Sequence, residues 1–361
     1  MGSSTGQYEF IGADQDFVPY SDFGSGDIPL TEEDYELLNA TILHVPFSLG
    51  AMSFFHNVPG AEDIRLTACV LADIFRREIV TWDDAEILNL NPELSVPANE
   101  PILVYHRDAG SSTTDGITTY LNAACPEKWP ESLVGPEIEW VDGTFAAQGS
   151  SGMSEAISND DFSIGYIDSG HGQDDGLNEV RLENAAGTWQ ISTEAIASGG
   201  VQAAAEEALQ EGVLPSDPSA DFSQVSLHNM PGESTWPIVA ISYIYLRADQ
   251  TFNGETGPLL KAFVEYVLSD EGQSLLQKFN FVAVPEDVKT VAFAAVDLLR
   301  LAPNVTEWTF ESDEETLAGI GQLDYIISGK RRSFNEYAIN ELAEEKADAS
   351  VLSSLELEID G

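Results

Sequence analysis

The run "PILVYHRDAGSSTTDGITTYLNAA", residues 101–124, carries the reading of the fold. Its first seven residues form a short β-rich segment ending on Arg107, and Asp108-Ala109-Gly110 follows as a tight turn. Ser111 then stands where an N-cap is wanted, ahead of a helix through "TTDGITTYLNAA". A strand that turns directly into a helix is the unit from which α/β layers are built. The same turn has a chemical consequence, because the amides of a first helical turn have no intrahelical partner and sit at the positive end of the macrodipole. Gly110-Ser111-Ser112-Thr113, with the forked guanidinium of Arg107 beside it, is therefore a donor set suited to an oxyanion.

Outward from that stretch, strand-like and helix-like segments keep alternating. Residues 41–55 read as extended and mostly buried, and 66–84 repeat apolar side chains at helical spacing through Val70, Ile74 and Phe75. "FSIGYID" (162–168) and "PIVAISYIYL" (237–246) read as strands. Residues 258–279 and 285–300 open with Pro at or near a first helical turn, and their amphipathic spacing predicts two helices packed on a sheet. Near the start, "MGSSTGQ" (1–7) is a second Gly/Ser/Thr turn entering a helix, and "DFGSGD" (22–27) is a short strand that leads to Asp27. The last sixty residues differ: they hold a polar "ESDEET" run, a basic "GKRR" patch, a helix over 334–346 and an alternating strand over 355–359. No internal repeat is visible.

Composition narrows the possible partners. With 361 residues the chain can form two lobes of ordinary size, and 43% hydrophobic residues can fill their cores. There are 62 Asp and Glu against 15 Lys and Arg, a net charge of −47 spread along the sequence, which reads as an acidic surface suited to high salt. Such a surface excludes nucleic acid and anionic membrane as partners, since nothing here could displace a polyanion's counterions. No run approaches the ~18 apolar residues of a membrane span, so direct membrane insertion is not expected. No signal peptide precedes Met1, which says little about compartment. Cys69 and Cys125 are too few for a disulfide scaffold and lack zinc-ligand spacing; they could form one bridge or be two buried thiols.

Other chemistries fit less well. Ser111 with His106, or His171 in "DSGHGQDD" (168–175), could supply parts of a hydrolase, but no G-x-S-x-G elbow follows a strand and the five histidines are scattered. Asp174 and Asp175 lie in a Gly-rich segment read as a solvated loop, without EF-hand spacing for Ca²⁺. Trp82, Trp129 and Trp236 read as core or hinge packing. No cofactor or metal is indicated, and a binding protein is expected in preference to an enzyme.

Several blocks taken in order carry a family resemblance. "GSSTGQ", "DFGSGDIPL", "LHVPFSLGAMSFFHNVPG", "LADIFRREIVTWDD", "VYHRDAGSSTTDGITTYL", "SIGYID", "STWPIVAISYIYL" and "FVAVPEDV" together resemble the phosphate-binding proteins that feed ABC phosphate transporters, over about residues 1–300. The resemblance implies a two-lobe, periplasmic-binding-protein-like (Venus flytrap) α/β fold with hinge strands near 44–57 and 228–246. Residues 1–55 would begin lobe 1, 56–236 would form lobe 2, and 237–361 would complete lobe 1. Carried over by position, the phosphate ligands would be Ser3, Asp27, Arg107, Ser111, Ser112 and Thr113. Asp27 would select an ion that brings a proton to share, because a carboxylate against an unprotonated oxygen forfeits a hydrogen bond and adds repulsion. Cys69 and Cys125 stand where the DING-type branch of this family places its cysteines, so the resemblance implies a disulfide between them and an extracytoplasmic location. The expected function is capture of inorganic phosphate for uptake, with a membrane transporter or neighbouring repeat domains as partners. The alternatives are a receptor for arsenate or sulfate, or a phosphate-releasing hydrolase on the same scaffold.

The pattern departs from the family in three places. The family's acidic residue two positions after the arginine is here Ala109, while Asp108 sits one residue early, so either Asp108 or another carboxylate braces Arg107 or the arginine is held more loosely. Ser112 stands where glycine is usual. The family's opening strand and ligand turn are missing before Met1, and the helix and strand of the tail resemble what normally precedes the "GSS" turn; joining Gly361 to Met1 would restore the order. A circular permutant, or one unit of a tandem array, is the corresponding expectation. "LAGIGQ" (317–322) faintly resembles the missing turn, which makes Gly321 and Gln322 weak ligand candidates.

Overall fold

In a computed structural model, the described residues are 3–12, 21–38, 40–305, 308–310 and 325–327. The tail helix and strand, Gly321, Gln322, the junction of the termini and the Ser3 side chain lie outside them. The chain forms two compact units, Met1–Gln250 with Val267–Arg300, and Thr251–Tyr266 with Leu301–Gly361.

In the first unit the strands are β1 (Phe23–Gly26), β2 (Ile42–His56), β3 (Ile64–Leu66), β4 (Leu103–Arg107), β5 (Phe145–Ala147), β6 (Ser163–Asp168), β7 (Asn178–Glu183), β8 (Trp189–Gln190) and β9 (Val239–Arg247). The helices that matter for the site are α1 (Ser3–Ile11), α2 (Ala68–Phe75), α3 (Ser112–Ala124), α4 (Gly149–Asn159), α5 (Ser169–Asp174) and α6 (Glu286–Asp297). The sheet runs β1-β9-β2-β6-β4-β5, with β7 also pairing β2, β3 and β8. β4 is parallel to both β5 and β6, as strand-turn-helix units require.

β2 is long because it is apolar on both faces; every residue but Phe47 and Gly50 is buried, the signature of a strand covered on two sides. Its first part pairs with β9, from Ile42 opposite Arg247 to Ala51 opposite Val239. Its last five residues pair instead with β6, from Met52 opposite Asp168 to His56 opposite Ile164. One strand thus passes from one set of neighbours to another, and a bulge between Pro46 and Ser48 bends it within the β9 pairing.

Three segments differ from their sequence reading. The helix expected over 66–84 ends at Phe75, because Arg77 takes a left-handed backbone (φ 63°) and Thr81 then bridges to Pro101. "DSGHGQDD" is helix α5 and not a loop, since the Asp168 side chain caps it by accepting the His171 N–H at 2.9 Å. The helical run 258–279 is interrupted at Ser269, whose hydroxyl accepts the Gly272 N–H at 3.1 Å and starts a new helix. The helix at 285–300 forms as α6 and packs on β2.

Trp82, Trp129 and Trp236 are fully buried, and each indole N–H reaches a backbone carbonyl, of Phe162, Leu133 and Met52 respectively. Cys69 and Cys125 form a disulfide that ties the first turn of α2 to the C-cap of α3. The second unit holds most of the helix Thr256–Leu268 and two short parallel strands, Trp308–Phe310 and Tyr325–Ile327.

Candidate anion site

Ser111 has extended backbone (φ −150°, ψ 136°) and its Oγ accepts the Thr113 N–H at 3.1 Å, so it caps α3 as the sequence predicts. Arg107, at the end of β4, donates from Nη1 to Ser111 Oγ at 2.9 Å and to Thr113 Oγ1 at 3.3 Å. Those two hydroxyls are themselves 2.7 Å apart. Behind them the Arg107 N–H donates to Tyr166 Oη, which also bonds Thr114 Oγ1 at 2.7 Å. Burial pushes the Tyr166 phenol up to about 12, so it remains a protonated anchor.

No carboxylate pairs with Arg107 among the described residues, Asp108 included, and its buried Nε has no hydrogen-bond partner there. The acidic brace is replaced by two neutral hydroxyls. Among the described residues the guanidinium charge is thus uncompensated by a close carboxylate, which is the state an anion receptor needs.

Asp27 follows β1 directly. Its Oδ1 accepts the Ser242 hydroxyl at 2.7 Å and its Oδ2 accepts the Ser112 hydroxyl at 3.3 Å. Two glycines allow α1 to lie against β1 at this point: a Cβ on Gly6 would sit 2.5 Å from the Ser25 carbonyl oxygen, and one on Gly24 2.7 Å from Phe10 Cβ. Gln7 then donates from Nε2 to the carbonyls of Ile28 and Pro29, both at 3.1 Å, fixing the chain just past Asp27. Ser3 is the first residue of α1.

Two hollows flank the first turn of α3. One, of about 520 Å³, is lined by Gln7, Asp27, Ser112, Asp115, His228 and Ile241 among others. The other, of about 380 Å³, is lined by Arg107 with His106, Asp108, Thr114 and Trp140, and Pro136 borders both. Asp27 and Ser112 therefore share a hollow, and Arg107, Ser111 and Thr113 form a hydrogen-bonded cluster. The consecutive residues 111–113 join the two groups, while Arg107 opens on the second hollow and not the first.

Sequence reasoning missed Ser242, Tyr166, Asp115 and His228. Asp115, in the first turn of α3, is held up at about 6 by burial. Burial depresses His228 to about 4, and its Nδ1 is buried without a partner among the described residues. An acid in a first helical turn was a readable signal; the others depend on long-range pairing.

The residues considered for other chemistry are committed elsewhere. His106 Nδ1 faces the Arg107 carbonyl at 2.9 Å and its ring stacks on Trp140. His171 pairs with Asp175 at 3.4 Å, Asp175 also accepts from Ser154, and Asp174 accepts from Asn280 at 2.7 Å.

This sheet order and the helix-capped donor cluster define a class, the two-lobe solute receptors: a family model described as a PBP superfamily domain matches residues 1–271. Solved structures agree on the fold. A periplasmic phosphate-binding protein (PfluDING) with phosphate bound aligns at a TM-score of 0.60 and 20% identity over 81% of this chain and 85% of its own. A human phosphate binding apolipoprotein aligns at 0.60 and 18% identity over 81% and 86%. Sequence relatives are more specific. The phosphate-binding protein PstS of Haemophilus influenzae is 30% identical over 291 residues, 80% of either chain. That of Methanocaldococcus jannaschii is 26% identical over 297 residues, 78% of this chain and 74% of its own. The chain belongs to the PstS family of phosphate-binding proteins.

Proposed function

We propose that the chain binds inorganic phosphate at the first turn of α3 and delivers it for uptake outside the cytoplasm. The observation that carries this reading is the Asp27 carboxylate hydrogen-bonded to Ser112 at the head of the Arg107–Ser111–Thr113 cluster. A carboxylate acceptor beside a set of donors suits an ion that is charged yet still carries a proton. The Ser111, Ser112 and Thr113 hydroxyls and one guanidinium nitrogen of Arg107 bond within the set, with Asp27 as an acceptor. An entering ion exchanges these internal bonds for bonds to its own oxygens and meets the Arg107 donors that are not engaged there. The 520 Å³ hollow is far larger than one tetrahedral ion, consistent with an open cleft that narrows around its ligand. Closure would work about β2 and β9, with lobes at 1–55 with 237–361 and at 56–236, and would bring the Arg107 guanidinium and the Ser3 turn onto the same ion.

The Cys69–Cys125 disulfide supports an oxidising compartment, and a membrane transporter is the partner such a receptor serves. No helix among the described residues is long and apolar enough to cross a membrane. The role is binding without turnover; a phosphoesterase lost on Ser111→Ala would overturn that part. Calorimetric titration tests the whole reading: phosphate and arsenate bind, sulfate is rejected, and Arg107→Ala removes binding. Sulfate binding as tight as phosphate would refute it.

A further inference from the structure

We infer that Ser242 is a positioning residue for ion selectivity: it fixes Asp27 so that one carboxylate oxygen faces the sheet and the other faces the ligand. This rests on the phosphate reading above. β1 pairs with β9 up to Gly26 opposite Tyr243, and continuing that antiparallel register sets Asp27 opposite Ser242. The two side chains are cross-strand neighbours, and their bond to Oδ1, at 2.7 Å, is shorter than the 3.3 Å bond from Ser112 to Oδ2.

Ser242 is 4% exposed and sits in the middle of β9, which is held on one side by β1 and on the other by β2. It cannot follow a moving ligand. Asp27 and Ser112 line the 520 Å³ hollow and Ser242 does not, so its hydroxyl acts through Asp27 alone. A carboxylate anchored at Oδ1 has its plane set, and the longer Ser112 bond at Oδ2 is one that a ligand P–O–H can replace with a shorter, charge-assisted one. An unanchored carboxylate could rotate away from an unprotonated ion and so relax the penalty that excludes it. Selectivity would then depend on a residue that never touches the ion.

The test compares Ser242→Ala, Ser242→Cys and Ser242→Thr with the wild-type chain, each confirmed folded by thermal denaturation. Phosphate affinity is measured by calorimetry and sulfate by competition. Loss of a hydrogen bond to a charged group predicts that Ser242→Ala narrows the phosphate-to-sulfate ratio about tenfold or more. Ser242→Thr, which keeps the hydroxyl, restores the ratio; Ser242→Cys, of the same shape with a weak donor, falls between and serves should the alanine variant not fold. A ratio unchanged in Ser242→Ala or Ser242→Cys, or phosphate and sulfate weakened in parallel, would overturn the inference. A wild-type chain that does not bind phosphate would instead defeat the proposed function.

Discussion

Arg107 and Gly24 show how single residues build the site. Arg107 reaches two hydroxyls through one nitrogen of a planar fork and retains further donors for an ion. Lysine offers a point charge without that geometry, so Arg107→Lys is expected to weaken phosphate binding by about tenfold, read by calorimetry, although the charge is preserved. At Gly24 the constraint is steric. A methyl group would meet Phe10 Cβ at 2.7 Å and the Gly6 carbonyl at 3.1 Å, and Gly24→Ala should cost about 1–3 kcal/mol in urea unfolding by pushing α1 off β1. The position of Arg107 between strand and glycine turn was legible in the sequence. The hydroxyl partners that replace a carboxylate brace were not, because they depend on side-chain torsions that no spacing rule encodes.

Among the elements, β2 and the α2–α3 pair organise the molecule. The Cys69–Cys125 bridge closes a loop with a sequence separation of 56, for which chain-entropy arguments give about 4 kcal/mol; replacing both cysteines by serine should cost about 2–4 kcal/mol and lower the urea midpoint. β2 carries His44 and His56, depressed by burial to about 3 and about 4, and His228 behaves like them at about 4. His44 must be neutral at Nε2 to accept the Leu30 N–H at 3.1 Å. Because these folded values lie below the ordinary 6.5, the three rings contribute stability that is whole above pH 6.5 and is lost as pH falls toward 4. Asp115 works the other way, gaining stability as pH drops from about 6 toward 3.8, and the Glu179 carboxyl, also raised by burial, acts in the same direction. Imidazole NMR should find all three rings neutral near pH 5.5, as burial to about 3–4 requires.

For the whole molecule the dominant quantity is the net charge of −47. Repulsion among surface carboxylates opposes compaction, and raising salt from about 0.1 M to 1 M shortens the screening length from about 10 Å to about 3 Å. Urea midpoints are therefore expected to rise with salt. Phosphate affinity should change little over the same range, because its donors act at contact distance in a cleft while distant carboxylates are already screened at the lower salt. A steep fall in affinity with salt would mean that long-range attraction, and not the local donor set, holds the ion.

The sequence by itself determined the α/β alternation, the strand-turn-helix that presents Ser111, Ser112 and Thr113, and the placement of Asp27 at the end of a short strand. These follow from local rules of periodicity, capping and turn chemistry, which act over a few residues. Only the tertiary structure decided that Ser242 faces Asp27, that hydroxyls hold Arg107, and that the first turn of α3 divides two hollows. Each of these depends on strand register or side-chain packing between segments far apart along the chain, where one residue of slip would exchange every neighbour.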